Sequence, residues 1–476
     1  MIGAILRKEL TEFRRDGRVL ASVGLMSFLV VVGLITGWAT HTEQAHQVRQ
    51  SQRDDQAIFV QQGEKPPHSA AHFGRMAFKP APPLAVFDPG AAPYVGQVIW
   101  LEAHRQDPAM FRPAEDAPEL RRLADLSVAG VLAMLVPLIL FLLGHGAFAG
   151  ERERGTLRHV ISSGLGLRQL FVGKIIAVAG IGVILSLIAV ATSTAIALAA
   201  AVDVSAWDTV ARGVGLFMGY AAYSLAFAAI AFAVSSWTRS TTSALLILLS
   251  LWAMSVVILP RVAAAVAQHL HPTPDSGVFW SEASAAIRKS RPPRDSEEYR
   301  AIERMVLNRM LGREVGAEQA ASIEFNRRGL NLEVGEILEA KAYAQAYRDL
   351  YETYANQQRV RRLFSMLSPT IVLQHLSGTL AGTDISAHRH FALAAERQRR
   401  VIIGMMNEDM MMQGAGRGDS YLSSPDLWRR IPNFDYHPPS VAFAARRAAA
   451  DYFILVMWSA AAFWLAWRAS YRQSVA

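Results

Sequence analysis

Residues 175–201 read IIAVAGIGVILSLIAVATSTAIALAAA. The stretch carries no charged side chain and is long enough for a bilayer core, which takes about 20 apolar residues of helix. Five further runs share its character: Val19–Trp38, Ser127–Gly144, Gly213–Val234, Ser243–Leu259 and Ala448–Trp467. The chain has 476 residues, of which 52% are hydrophobic and only 18% charged, with a mean hydropathy of +0.19. Charge this sparse and this clustered means that lipid solvates part of the chain. Hydrocarbon offers the backbone no hydrogen-bond partners, so each run is predicted to be a helix. The first run exceeds the h-region of a signal peptide and lacks a small-x-small cleavage site after Trp38, so it reads as an uncleaved anchor.

Basic residues orient the spans. Arg7, Lys8, Arg14, Arg15 and Arg18 precede the first span, and Arg152, Arg154, Arg158, Arg168 and Lys174 lie between the second and third. Arg239 lies between the fourth and fifth, and Arg468 and Arg472 follow the sixth. Putting all four groups in the cytoplasm obeys the positive-inside rule and leaves both termini there. The resulting fold class is an all-α integral membrane protein with six transmembrane helices and a mostly helical extracytoplasmic domain. Residues 1–18 form an interfacial helix, 39–126 an external, loop-rich insertion, 145–174 a cytoplasmic loop and 202–212 a short external loop. Residues 235–242 are cytoplasmic, 260–447 form the large external domain, and 468–476 are a cytoplasmic tail. Within the large domain, Leu332–Arg362 spaces Val334, Ile337, Leu338, Ala342 and Ala346 at helical intervals, predicting a long amphipathic helix.

The remaining composition excludes several functions. The net charge of +8 gathers beside membrane ends rather than in a basic stripe, so no nucleic-acid partner is assigned. The absence of cysteine rules out disulfides, thiolate metal sites and cysteine nucleophiles. No G-x-x-x-x-G-K-[ST] loop is present: Gly173-Lys174 precedes Ile175 without the upstream glycine. H-E-x-x-H and G-x-S-x-G are missing too, so no catalytic residue is assigned. No span carries an acidic residue away from its edge, which argues against an ion-coupled carrier. His388 and His390, with Met405, Met406, Met410, Met411 and Met412, invite a Cu(I) reading. Methionines also fill irregular apolar gaps, and this spacing defines no ligand geometry, so neither metal nor cofactor is assigned.

Two cytoplasmic segments carry the functional reading. In MIGAILRKELTEFRRDGR, Ile2, Leu6, Leu10 and Phe13 share one helical face opposite a basic one, as suits a membrane–water interface. In GERERGTLRHVISSGLGLRQLFVGK, residues 150–174, a charged turn leads into a short helix with apolar Leu157, Val160 and Ile161. Glu151-Arg152-Glu153-Arg154-Gly155-Thr156-Leu157, then Ser162-Ser163 and Gly173-Lys174, resemble the cytoplasmic loop of type-2 ABC transporter permeases.

That resemblance implies a coupling helix that docks into a groove of a separate ABC ATPase dimer. Glu151, Arg152, Glu153, Gly155, Thr156, Leu157, Val160 and Ile161 would be the ATPase-coupling residues. It also implies a location in the bacterial inner membrane and a second permease subunit, the same or homologous. The branch with a large extracytoplasmic domain between the fifth and sixth spans is the nearest likeness. Its pieces here are His72-Phe73-Gly74, Phe87-Asp88-Pro89-Gly90 with Tyr94 and Gly96, and Leu101-Glu102-Ala103-His104-Arg105. Further on come Leu367-Ser368-Pro369, Ala381-Gly382-Thr383-Asp384 with His388 and Phe391, and Pro432-Asn433-Phe434-Asp435-Tyr436 with Pro438-Pro439. The function expected is an ATP-driven permease subunit that moves a substrate across or out of the membrane. The alternative is a non-transporting subunit that relays ATPase motion to a periplasmic domain or partner.

Overall fold

The computed structural model describes residues 2–116, 126–162, 166–200, 205–314, 316 and 323–471. Helix α1 (Ile2–Arg15) ends one residue before Asp16, whose carboxylate accepts from the Arg18 amide and so caps α2 (Gly17–Val60). Next come α3 (Pro67–Phe73), an antiparallel hairpin of β1 (Arg75–Phe78) and β2 (Val98–Leu101), and the short α4 (Pro113–Asp116). Helix α5 (Val128–Gly144) leads through α6 (Ala149–Glu153) and α7 (Thr156–Ser162) into α8 (Leu167–Ala200) and α9 (Ala206–Trp237). Helices α10 (Thr241–Trp252) and α11 (Leu259–Leu270) are continuous through a π-helical stretch, Ala253–Ile258. Pro260, in the first turn of α11, can donate no amide, and the wider turn before it absorbs that loss. The chain closes with α12 (Ser276–Ser290), α13 (Glu297–Leu311), α14 (Arg327–Phe364), α15 (Pro369–Ala381), α16 (Ile385–Gln413), α17 (Pro425–Arg430) and α18 (Val441–Tyr471).

Among the described residues, six helices are long and apolar enough to cross a membrane, and each covers all or nearly all of one of the apolar runs. Those around α5 and α9 form the centre, with 67% of their most apolar windows buried; α2 and α10–α11 lie outermost, at 17% each. Glycine lets the central helices close up. A Cβ on Gly219 would stand 2.7 Å from Leu376, one on Gly213 2.5 Å from Thr194, and one on Gly182 2.9 Å from Ser224. Gly180, also a small residue of α8, meets nothing within 4 Å.

Three departures from the sequence reading have simple causes. The first apolar run ends at Trp38, yet α2 continues through the charged segment that follows, because neither glycine nor proline interrupts residues 38–60. Only the rest of the insertion is loop-rich, and it contains the β1–β2 hairpin. Helix α15 is too short to span a bilayer, but Val372, Leu373, Leu376 and Leu380 bury it in the same core as the spans.

The two polar blocks fold as one body. Phe59, Ala71, Ile99 and Leu101 from the first share a core with Phe391, Ile402 and Trp428 from the second. The predicted amphipathic helix is α14, and its Leu330, Val334 and Leu338 pack on Val306 and Leu307 of α13 and Met411 of α16. Phe87-Asp88-Pro89-Gly90 docks on Ala381-Gly382-Thr383-Asp384: Leu84 and Ala91 donate to the carbonyls of Ala381 and Thr383 at 3.2 and 3.0 Å. Gly90 sits at φ +46°, and a Cβ there would lie 2.4 Å from the Thr383 hydroxyl.

Candidate functional site

At one end of the bundle, α6 meets the C-terminal end of α9 and the N-terminal end of α10, and its Glu151 reaches α8 and α1. The amphipathic α1 turns Ile5 and Glu9 inward. It approaches α8 where Gly173 offers no side chain; a Cβ there would lie 2.7 Å from Ile5. Lys174, 3% exposed, then places its ammonium 2.9 Å from Glu9 and 3.1 Å from Glu151. Half-exposed Lys8 reaches both carboxylates at 3.3 Å, and the Thr156 hydroxyl also donates to Glu151. Three segments far apart in sequence are thus joined through buried charge. Such a cluster holds only while every member is present.

The rest of the loop is matched to the helix ends it crosses. Arg152 donates to the carbonyls of Ser235 and Ser236 at 2.7 and 2.8 Å, placing a cation at the C-terminal end of α9. Glu153 accepts from the Thr241 amide and hydroxyl at 3.0 and 2.8 Å, placing an anion at the N-terminal end of α10. Both placements favour the helix dipoles. The Ser235 hydroxyl accepts from the amides of Phe148 and Ala149 and donates to the His145 carbonyl. Gly155, at φ +70°, makes the left-handed turn from α6 to α7.

Of the sequence-derived coupling residues, Glu151 and Leu157 are buried and Thr156 half-buried, turned into the chain's own core, while Glu153 and Gly155 are exposed. The side chains of Val160 and Ile161 lie outside the described residues. Arg154 and His159 are exposed on the outer face of the loop. Sequence reasoning singled out Gly173-Lys174 but missed Glu9 and the pairing of Lys174 with Glu9 and Glu151; a lysine at the head of an apolar run was the available signal.

At the opposite end, α9 is fastened to the large polar domain. Arg212 is 1% exposed; it pairs with Asp208 at 2.6 Å and donates to the Leu380 carbonyl at 2.9 Å and to the Pro439 carbonyl. Asp451, buried in α18, accepts from His375 at 2.7 Å and lies 3.3 Å from Arg362. Beside this junction is a cavity of about 570 Å³ lined by residues that include Gln52, Arg75, Ala197, Thr209 and Tyr436. The volume suits a small-molecule ligand. Its wall is amphipathic, and the buried Arg75 Nη1 and Gln56 Oε1 have no hydrogen-bond partner.

A bundle of apolar helices, with a buried charge cluster at one end and a folded polar domain at the other, defines a multi-span membrane protein. The chain belongs to the ABC-2 family of transporter proteins, whose description, "ABC-2 family transporter protein", matches residues 3–471. No curated protein matches the sequence. Members of this family are membrane components of transporters rather than the ATPase, and membership implies an ABC ATPase partner.

Proposed function

We propose that the chain is a permease subunit whose loop 150–174 receives the stroke of a separate ATPase and whose α9 carries it to the cavity beside the polar domain. The reading rests chiefly on α9. Its Ser235 and Ser236 carbonyls are gripped by Arg152 of the loop, and its Arg212 grips the Leu380 and Pro439 carbonyls of the domain. One helix therefore ties the point of force to the domain without a flexible link. The loop end faces the cytoplasm of a bacterial inner membrane with both termini there, and the polar domain lies outside, as the flanking basic residues favour. A second permease subunit completes the pathway, since α2 and α10–α11 are little buried within this chain. The exposed Arg154 and His159 meet the ATPase, while Glu151 and Leu157 hold the loop in shape.

The relay reading shares the loop and α9 but has no use for the cavity. Two variants of the reconstituted complex separate them. Arg154→Glu with His159→Glu should release the ATPase from a still-folded chain; retained copurification would remove the loop as its port. Ala200→Trp, which fills the cavity wall, should keep ATPase assembly and abolish complementation of a deletion strain. Full complementation by Ala200→Trp would favour the relay.

A further inference from the structure

Outside the bundle, three histidines converge where the two polar blocks meet. His68 and His72 stand one turn apart on α3, and their Nε2 atoms are 3.3 Å from one another. His104, from the loop after β2, completes the triangle, with one ring nitrogen of each residue within 4.8 Å of the others. The ring centroids are 4.6, 5.3 and 5.4 Å apart. Nitrogens bound to a tetrahedral ion at about 2.0–2.1 Å are separated by about 3.3–3.4 Å. The His68–His72 separation fits that edge and is long for a direct hydrogen bond.

The third histidine is held as metal ligands are held. His104 occupies the left-handed region at φ 64°, a conformation that costs energy in a non-glycine residue. Its amide donates to Glu336, and its Nδ1 lies 3.1 Å from Glu339, both on α14. With Nδ1 committed to a carboxylate, Nε2 keeps its lone pair free, the arrangement that orients and strengthens a ligating imidazole. Glu336 is itself fixed by Arg399 and Arg400 at 2.9 and 3.0 Å.

We propose that His68, His72 and His104 bind one first-row transition-metal dication, with Glu339 orienting His104 and the exposed side of His72 leaving a fourth position open. Three imidazoles without thiolate suit Zn(II), Cu(II) or Ni(II) rather than oxygen-seeking Mg(II) or Ca(II). The ion would bridge α3 to the loop after β2 and, through Glu339, to α14, clamping the first polar block to the second.

The test uses the full-length chain in lipid nanodiscs, purified through a tag without histidine and stripped with chelator. Titration with Zn(II) should show one ion per chain, and Co(II) should give the visible bands of a tetrahedral site. His72→Ala, an exposed change that leaves the fold intact, should weaken Zn(II) binding more than 100-fold. Glu339→Gln should weaken it 10–100-fold, the range for a lost outer partner, and His437→Ala should leave it unchanged. Zn(II) uptake no greater than that of a His68/His72/His104 triple alanine variant would overturn the proposal. So would a Co(II) spectrum indifferent to His72→Ala.

Discussion

Lys174→Met tests the charge cluster that joins α1, α6 and α8. The substitution keeps an unbranched chain of similar reach and deletes only the ammonium. Glu9 and Glu151, 6% and 4% exposed, would then face each other at no more than about 6 Å. At an effective dielectric of 20, two like charges at that separation repel by about 3 kcal/mol. Lys8 remains within 3.3 Å of both, but half its side chain is exposed and its screening offsets little of the loss. Removing one member of a buried pair typically costs 3–5 kcal/mol, so Lys174→Met should destabilise the chain by about that amount. Glu151→Gln combined with Lys174→Met leaves Glu9 with Lys8 and should cost less than the two single changes added together, by about 0.5–3 kcal/mol. The assay is reversible unfolding in mixed micelles, followed by tryptophan fluorescence. A Lys174→Met loss below about 1 kcal/mol, or strict additivity in the double variant, would show that the cluster is too well hydrated to join the three segments.

Three further substitutions probe the polar domain. Burial, helped by the nearby Glu102 charge, raises the Asp107 pKa to about 7 despite Arg105 at 2.9 Å. The folded state then binds more protons than the unfolded one between about pH 4 and 7, so stability falls as pH rises through that window. Asp107→Asn should therefore stabilise the protein above pH 7, with the gain vanishing toward pH 4 in thermal unfolding; a constant gain would refute the linkage. Gly90→Ala should cost about 1–2 kcal/mol for its left-handed backbone, plus the collision with Thr383. Gly63→Ala, at φ +74° with nothing within 4 Å, carries the backbone cost alone, and equal losses in the two variants would eliminate the Thr383 contact.

What the sequence made legible follows from which interactions are local. The spans were readable because an uncharged run has one stable state in lipid, and α14 because its apolar spacing is periodic. Where α2 stops was not readable from hydropathy, because leaving the membrane does not end a helix that has no breaker. Helix α15 was assigned to the polar domain because its burial comes from α9 and α18, distant in sequence. The loop 150–174 was recognisable by its residues, but the inward turn of Glu151 and Leu157 depends on Glu9 and Lys174. The histidine triangle was hidden for the same reason: the one-turn spacing of His68 and His72 was visible, while His104 arrives through the hairpin.

The 44-residue α2 has a mechanical consequence. At 1.5 Å per residue it is about 66 Å long, roughly twice the thickness of a hydrocarbon core. Near its middle, Cβ atoms on Gly33 and Gly37 would come within 3.1 and 2.7 Å of the Leu126 and Val86 carbonyls, so the helix is closely held there. A rod that tilted about that point would act as a seesaw. The arm from Gly37 back to Gly17 is about 30 Å and the arm forward to Phe59 about 33 Å, so a tilt of two degrees swings each tip by about 1 Å in opposite directions. Phe59 is wholly buried against Trp428, with ring centroids 5.9 Å apart. A tilt about that point would therefore load the Phe59–Trp428 contact in the direction opposite to the movement of the Gly17 end.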